Sequence, residues 1–313
     1  MLHHIVAHGA DPDGIVTHAI LRRALLKTQH HFADYDNFTA ILEKLLTAEP
    51  GKLIIADISC NDRIASPEMF ESLKRRHRNI SWYDHHTGSY EQKGFLARYA
   101  GVTLSTNQCA AQLVLEVYAA KDDYAQFLAH LGQIHDFEQK EDEFAPQAYA
   151  LQDIIASECN QHDLVSDLAA EKVWDEHRAF TPVYQKVLDV SSERKNKAYS
   201  RLEQSVEQRE IAGLRVAVAY SDPILYMKPA YQRLQEHLDD DCIFVLYEGK
   251  SNILALAGKK IGKRILDFLA VQGGGGRGHG GGFVLDHPVS AETYQQDKEE
   301  ILRRFGRYFS KEA

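Results

Sequence analysis

The sequence predicts an α/β fold: a doubly wound, mostly parallel sheet domain joined by a helical connector to a smaller α/β domain. Three observations carry this expectation. Apolar strand-like runs alternate with helical stretches early in the chain, the βαβ rhythm of a parallel sheet. Three of those runs end at an Asp or a His, which would gather polar side chains on the sheet edge where such folds bind ligands. A heavily charged stretch then interrupts the pattern, and strands and helices restart after it. At 313 residues the chain is too long for one ordinary core. The expected boundaries are 1–190 for the first domain, 191–210 for the connector and 211–313 for the second domain.

Residues His3 to His8 read as a short strand. Gly9-Ala10-Asp11-Pro12-Asp13-Gly14 then forms a tight loop opening an amphipathic helix from Ile15 to Lys27. Asn37 to Thr47 reads as a second helix. Lys52 to Ala56 is a continuous apolar run of the kind buried on both faces of a parallel sheet, and it ends at Asp57. Ser66-Pro67-Glu68 carries an N-cap and a first-turn proline for a helix reaching about His77. The next strand, Asn79 to Tyr83, ends at Asp84. Ser105-Thr106-Asn107 is expected to cap a helix through Ala119. Asp122 to Ile134 follows as another helix, leading into His135-Asp136, and residues 147–190 read as helical with interruptions near Asn160 and Pro182.

Ser192 to Glu210 is charged, with little apolar face, and reads as a solvated helical connector. Leu214 to Tyr220 restarts the strand pattern and Pro223 to Leu238 reads as a helix. Cys242 to Tyr247 and Ile253 to Ala257 flank a turn at residues 248–252 and read as a hairpin. Gly262 to Val271 is helical, residues 273–282 form a glycine-rich loop, and Ile301 to Phe309 lies in a closing helix. No internal repeat is visible.

Composition narrows the class. Apolar residues make up 44% and charged residues 26%, the profile of a soluble globular protein. No apolar run is long enough for a membrane span, and the first residues lack the basic and apolar segments of a signal peptide. The four cysteines are scattered with no CxxC pair, which fits buried thiols in a reducing cytoplasm. A formal net charge of −9 argues against a footprint on duplex DNA, which needs a basic face.

The polar strand ends suggest metal chemistry. Asp84-His85-His86 directly after an apolar strand can give one imidazole to a metal and another to a substrate, although adjacent histidines on a loop are often merely solvated. Asp11 and Asp13 stand where helix caps stand, and that plainer role fits them equally well. Asp11, Asp13, Asp57 and Asp136 on one edge would repel one another unless divalent cations lay between them. Oxygen ligands with imidazoles suit Mn²⁺, Mg²⁺ or Fe²⁺ better than a thiolate zinc site. Two such ions, bridged by a carboxylate, are the usual clamp for phosphoester hydrolysis, with Asp57 placed to bridge.

His8, Asp11-Pro12-Asp13-Gly14, Asp57, Asp84-His85-His86 and Asp136 together resemble the four ordered motifs of the DHH phosphoesterase superfamily, in its nanoRNA oligoribonuclease and RecJ-like exonuclease branch. The tract with Gly275, Gly276, Arg277, Gly278 and His279 resembles the signature of the DHH-associated C-terminal domain. The similarity spans nearly the whole chain. It implies that His8, Asp11 and Asp57 hold one metal, and that Asp13, Asp57, His85 and Asp136 hold the other. It implies that His86 faces the scissile phosphate while Asp84 orients the pair. His8 stands three positions ahead of Asp11, where familiar relatives have two or four, with His4 and His135 as alternates. The glycine tract, with Arg277 and His279, would bind substrate phosphate, and Lys259, Lys260, Lys263 and Arg264 could add a basic patch.

The resemblance therefore implies a cytoplasmic hydrolase using two divalent cations, Mn²⁺ by preference, on short single-stranded nucleic acid or nucleotide phosphates, with its active site in the cleft between two α/β domains. No membrane partner is expected, and a homodimer is an open arrangement. An exopolyphosphatase or pyrophosphatase is the rival enzyme. A nucleotide-binding regulatory module without catalysis is the rival of another class, and a broken metal set would mark it.

Overall fold

The computed structural model describes the whole chain except residues 36, 61–65, 78, 158–159, 223, 226–229, 231–232, 235–239, 259, 278–279 and 311–313. It divides into two compact units, Met1–Asp189 and Val190–Ala313. No helix among the described residues is long and apolar enough to cross a membrane.

The first unit runs β1 (His3–His8), α1 (Pro12–Ala24), β2 (Thr28–Ala33), α2 (Phe38–Leu45), β3 (Lys52–Ala56), α3 (Pro67–Arg76), β4 (Asn79–Asp84), α4 (Thr87–Glu91), α5 (Lys93–Leu96), β5 (Gly101–Leu104), α6 (Ala110–Tyr118), α7 (Asp123–Asp136), α8 (Ala145–Ala156) and α9 (Gln161–Ala169). Its five strands form one parallel sheet in the order β2-β1-β3-β4-β5. The doubly wound parallel sheet expected from the sequence is present.

Strand periodicity splits the apolar residues between two layers. Ile5, Ala7, Ile54, Ala56 and Tyr83 face the core built with α1 and α6 to α9. Val6, Leu53, Ile55 and Trp82 face the core built with α2 and α3. Trp82 is fully buried there, its ring centroid 6.0 Å from both Phe38 and Phe70. Helices on both faces explain why β3 reads as an unbroken apolar run. The chain passes from β1 to β2 on one side and then crosses back over β1 to β3 on its other side. That reversal opens the crevice where doubly wound sheets bind ligands.

Two strands are invisible to the apolar pattern. β2 (Thr-Gln-His-His-Phe-Ala) and β5 are the two edges of the sheet, and edge strands need no continuous apolar run. Ser66 caps α3 as expected, accepting the Met69 N–H at 3.3 Å. The cap expected from residues 105–107 is not what starts α6. That helix begins at Ala110, and its first N–H groups go to Asp13.

Helix α10 (Pro182–Gln204) leads into the second unit. The helical reading of residues 192–210 holds only as far as Gln204, because Glu207–Ile211 is the antiparallel edge strand β6. Then come β7 (Leu214–Ser221), β8 (Cys242–Tyr247), β9 (Asn252–Ala257), α11 (Arg264–Val271), β10 (Gly275–Arg277), β11 (Gly280–Val284) and α12 (Tyr294–Phe309). The sheet order is β10-β11-β9-β8-β7-β6, with β7 and β8 parallel and the remaining pairs antiparallel. Val216, Val218, Phe244 and Leu246 pack under α11 and α12, while Ala217, Ala219, Ile243 and Val245 meet Ala198 and Leu202 of α10. The glycine tract is a β-hairpin edge and not a plain loop. Most of the helix expected over residues 223–238 lies outside the described residues.

The edge strand β2 also explains much of the histidine content. Its two histidines point to opposite faces, where each finds another histidine. His30 Nδ1 lies 3.0 Å from His18 Nδ1, and His31 Nε2 lies 3.3 Å from His4 Nδ1. Burial, then the neighbouring His30, holds His18 well below the ordinary imidazole value. Burial, then Arg22, lowers His30 to about 4, and burial, then His4, lowers His31 to about 4. An unfolded chain takes up these protons below about pH 6.5, so their contribution to stability is full above that pH and is lost as pH falls toward 4. In urea titrations the stability advantage of wild type over His30→Gln should shrink between pH 7.5 and 5. The slope should reach about 1.4 kcal/mol per pH unit. A difference independent of pH contradicts the assignment.

Candidate metal centre

The centre is assembled from backbone ends. His8 is the last residue of β1, and Asp11 caps α1 by accepting the Gly14 N–H at 3.1 Å. The turn between them is tight: a Cβ on Gly14 would stand 2.0 Å from the His8 carbonyl oxygen, so only glycine fits. The result sets His8 Nδ1 2.5 Å from Asp11 Oδ2. Asp11 is thus both the cap that its position suggests and a neighbour of His8.

Asp13 faces the other way. It is fully buried, and its two oxygens each accept an N–H at 2.8 Å from Ala110 and Ala111 at the start of α6. Asp57 follows the last residue of β3 with φ 54, left-handed backbone that Asp tolerates better than most residues. Its N–H donates to the Tyr83 carbonyl at 3.0 Å, which fixes it against β4. Asp84 ends β4, fully buried, and accepts from His86 Nδ1 at 2.7 Å. The His85 and His86 rings stack with centroids 4.2 Å apart. Asp136 ends α7 and meets His85 Nε2 at 2.9 Å.

Asp57 ties the two sides together. His8 Nδ1 is 3.9 Å from one of its oxygens and His85 Nδ1 is 4.0 Å from the other. His85 Nδ1 also lies 3.7 Å from Asp13. Ligand atoms of His8, Asp11 and Asp57 fall within 4.8 Å of one another; so do those of Asp13, His85 and Asp136, and those of Asp57, Asp84, His85 and His86. All eight sequence-predicted residues of the first unit therefore meet. Asp84 holds His86 and not His85. Of the alternates, His4 is occupied elsewhere, 2.7 Å from the Glu49 carbonyl. His135 is nearer, with Asp11 the first charge acting on it, and its Nδ1 is buried without a partner.

The electrostatics call for cations. Burial, then the charges of Asp11, Asp13, Asp136 and Asp84, push Asp57 well above the usual carboxylate range. Burial, then Asp136, pushes Asp13 up to about 6. Burial opposes a charged His85, but the hydrogen bond and charge of Asp136 outweigh it and raise the imidazole to about 9. Burial likewise opposes the Asp11 carboxylate, and His8 outweighs it, leaving Asp11 lowered. Among the described residues no Lys or Arg pairs with any of these five acids. Asp57 Oδ2, Asp84 Oδ2 and His85 Nδ1 are buried with no hydrogen-bond partner. Buried polar atoms are seldom left so, and these are hard oxygen and imidazole donors. The donor set fits Mn²⁺ or Mg²⁺.

Sequence reading missed the supports. Gln152 Nε2 donates to the Ala10 carbonyl at 3.0 Å and Gln161 Nε2 to the Gly9 carbonyl at 2.6 Å, pinning the β1–α1 loop from α8 and α9. Only tertiary structure brings these distant helices to the loop. In the second unit, Gly275, Gly276 and Arg277 pair with Gly282, Gly281 and Gly280 across the hairpin. Gly278 and His279 lie outside the described residues, as does Lys259. Lys260 is taken up by Asp241 at 3.2 Å, and Arg264 lies over the Phe309 ring, so the expected basic patch is partly committed to structure.

No protein-family model and no curated protein matches the sequence. Solved structures do match. The DHH domain of a protein described as belonging to a family of ribosomal proteins superposes with a TM-score of 0.63 at 13% identity, over 99% of this chain and 86% of that one. RecJ from Thermus thermophilus, in complex with Mn²⁺, gives 0.62 at 13% identity over 99% of this chain. This chain spans 52% of that RecJ. The pGpG-specific phosphodiesterase PggH from Vibrio gives 0.55 at 11% identity, covering 97% of this chain and 98% of that one. The chain has the fold of the DHH proteins.

Mn²⁺ should raise the melting temperature of the wild type, because neutralising the acidic centre favours the folded state. Asp57→Asn keeps the left-handed backbone and removes the central charge. It should melt higher than wild type without metal, and Mn²⁺ should raise its melting temperature much less. A wild type indifferent to Mn²⁺ in thermal melts counts against the centre.

Proposed function

We propose that this protein is a metal-dependent phosphodiesterase or phosphatase acting on short oligonucleotides or nucleotide phosphates. The observation that carries the reading is the sharing of one buried carboxylate, Asp57, between two groups of hard donors. His8 and Asp11 cluster with it on one side and His85 on the other, and His85 in turn clusters with Asp13 and Asp136. These are the six residues assigned to hold a pair of divalent cations, Mn²⁺ by preference. When bound, such a pair lowers the pKa of an attacking water and screens charge on the phosphoryl oxygens. The like folds support this reading, since the Vibrio protein is named a phosphodiesterase and the Thermus RecJ holds Mn²⁺ and, in a second structure, Mg²⁺.

The chain's own residues do the rest. Asp84 fixes the His86 ring through Nδ1, which leaves Nε2 for the substrate. The ring is about a third exposed, whereas Asp84 beneath it is fully buried. His86 is assigned to hydrogen-bond a phosphoryl or leaving oxygen, and Asp84 is its positioning residue. The peptide N–H groups of α6 hold Asp13 in place without taking its charge. In the second unit, the backbone of the Gly275–Arg277 strand and Arg277, with Gly278 and His279, are assigned to substrate phosphate.

Hydrolysis of a generic phosphodiester and of short RNA should need Mn²⁺ and should stop on chelation. His86→Ala should lower kcat by about 10²–10³-fold, as expected for losing one transition-state donor. Asp84→Asn should cost about 10–100-fold, because the ring remains but is less well held. Turnover of no phosphoester at all, or equal turnover by wild type and Asp57→Asn, refutes the hydrolase.

A further inference from the structure

Most of the described Phe, Tyr and Trp residues are buried or half-buried. Among the described residues Tyr35 and Phe137 are the most exposed of these, at 49% and 36% of the whole residue. Both lie against the metal centre. Tyr35 follows β2, with its ring centroid 6.3 Å from that of His8. Phe137 follows Asp136, with its ring 6.1 Å from that of His85. The two histidines in turn flank Asp57 at 3.9 and 4.0 Å. The contacts therefore run in a chain from Tyr35 through His8, Asp57 and His85 to Phe137, one partly exposed aromatic residue at each end.

Both residues are held in place and yet partly exposed. Tyr35 Oη accepts the Ser59 N–H at 3.4 Å. Phe137 closes α7, its N–H donating to Gln133 and His135, and the left-handed Glu138 turns the chain away directly after it. The rings tilt by 53° and 56° to their histidines, so neither is stacked face to face. The part of each side chain left in water forgoes burial that most of the other described aromatics obtain. A ring beside a phosphate-binding centre is of use to a substrate with a π face, and of none to polyphosphate or pyrophosphate.

We infer that Tyr35 and Phe137 are base-stacking platforms, which makes the substrate a nucleotide ester whose nucleoside lies beside the metal centre. The inference rests on the proposed phosphoesterase reading and names its substrate class. A phosphodiester carries one substituent on each side of phosphorus, and the centre has one platform at each end. The aromatic rings take the bases without reading sequence, because every base has a π face.

The test is equilibrium binding of AMP and of ribose 5-phosphate to the full chain with Mn²⁺, for wild type, Tyr35→Ala, Tyr35→Phe and Phe137→Ala. The two ligands share the sugar and phosphate and differ only in the base. Wild type should bind AMP roughly 5- to 150-fold more tightly, the range expected for stacking one base. Tyr35→Ala and Phe137→Ala should each narrow that ratio, and Tyr35→Phe should keep it. Both residues are partly exposed and lie outside the hydrophobic cores, so truncating them leaves the cores intact. Equal affinity for the two ligands in wild type, or no binding of AMP, overturns the inference. A ratio unchanged in one alanine variant overturns it for that ring. Phosphoester hydrolysis by a protein that binds both ligands equally would refute the platforms and leave the hydrolase standing; base-dependent binding without hydrolysis would do the reverse.

Discussion

Five carboxylates crowd the carboxyl edge of the first sheet with no cationic side chain of Lys or Arg among the described residues to answer them. Everything nearby is arranged around that imbalance. Parallel strands deliver Asp57 and Asp84 to one edge because they all end there. Peptide N–H groups at two helix starts take part of the load, Gly14 for Asp11 and Ala110 with Ala111 for Asp13. Imidazoles take another part, His8 on Asp11, His85 on Asp136 and His86 on Asp84. Asp57 has its imidazoles only at 3.9 and 4.0 Å, and its carboxyl is pushed well above the usual carboxylate range. A fold that retains such a feature at its switch point has a site prepared for positive charge.

The plain and the functional readings of the same residue turn out to be compatible. Asp11 is an N-cap, and it also touches His8 through its second oxygen. A carboxylate has enough lone pairs for both tasks. Asp13 looks like a first-turn acid of α1, yet it caps a different helix, 97 residues further along the chain. Helix-terminal acids are therefore poor grounds for choosing between structure and function from sequence alone.

Much of the first unit was legible because its polarity changes abruptly. Apolar runs stop at His8, Asp57 and Asp84, and a strand end is where a doubly wound sheet places its ligands. What stayed hidden has definite physical causes. β2 and β6 are edge strands, half exposed, so their polar and charged residues carry no period-2 apolar signal. The Asp13 cap, and the glutamines that pin the β1–α1 loop, join segments far apart in sequence. The glycine tract reads as a turn because a hairpin made of glycine has no side-chain pattern to show. Tyr35 and Phe137 were passed over because an aromatic residue is expected in a core, and only exposure marks it as something else.

Asp13 shows how this centre confuses experiments performed on it. Its carboxylate belongs to two structures at once, the acidic edge and the first turn of α6. Removing it frees two buried peptide N–H groups, a cost of about 1–3 kcal/mol for each group left unsatisfied. Under the proposed function an inactive Asp13 variant has two explanations, a disordered helix or a missing ligand, and both give the same silent assay. Asp57 accepts no hydrogen bond on its Oδ2 and caps no helix, so a change there speaks more nearly to charge alone. Residues that share a motif are not interchangeable as genetic evidence; each reports on as many parts of the protein as its oxygens hold together.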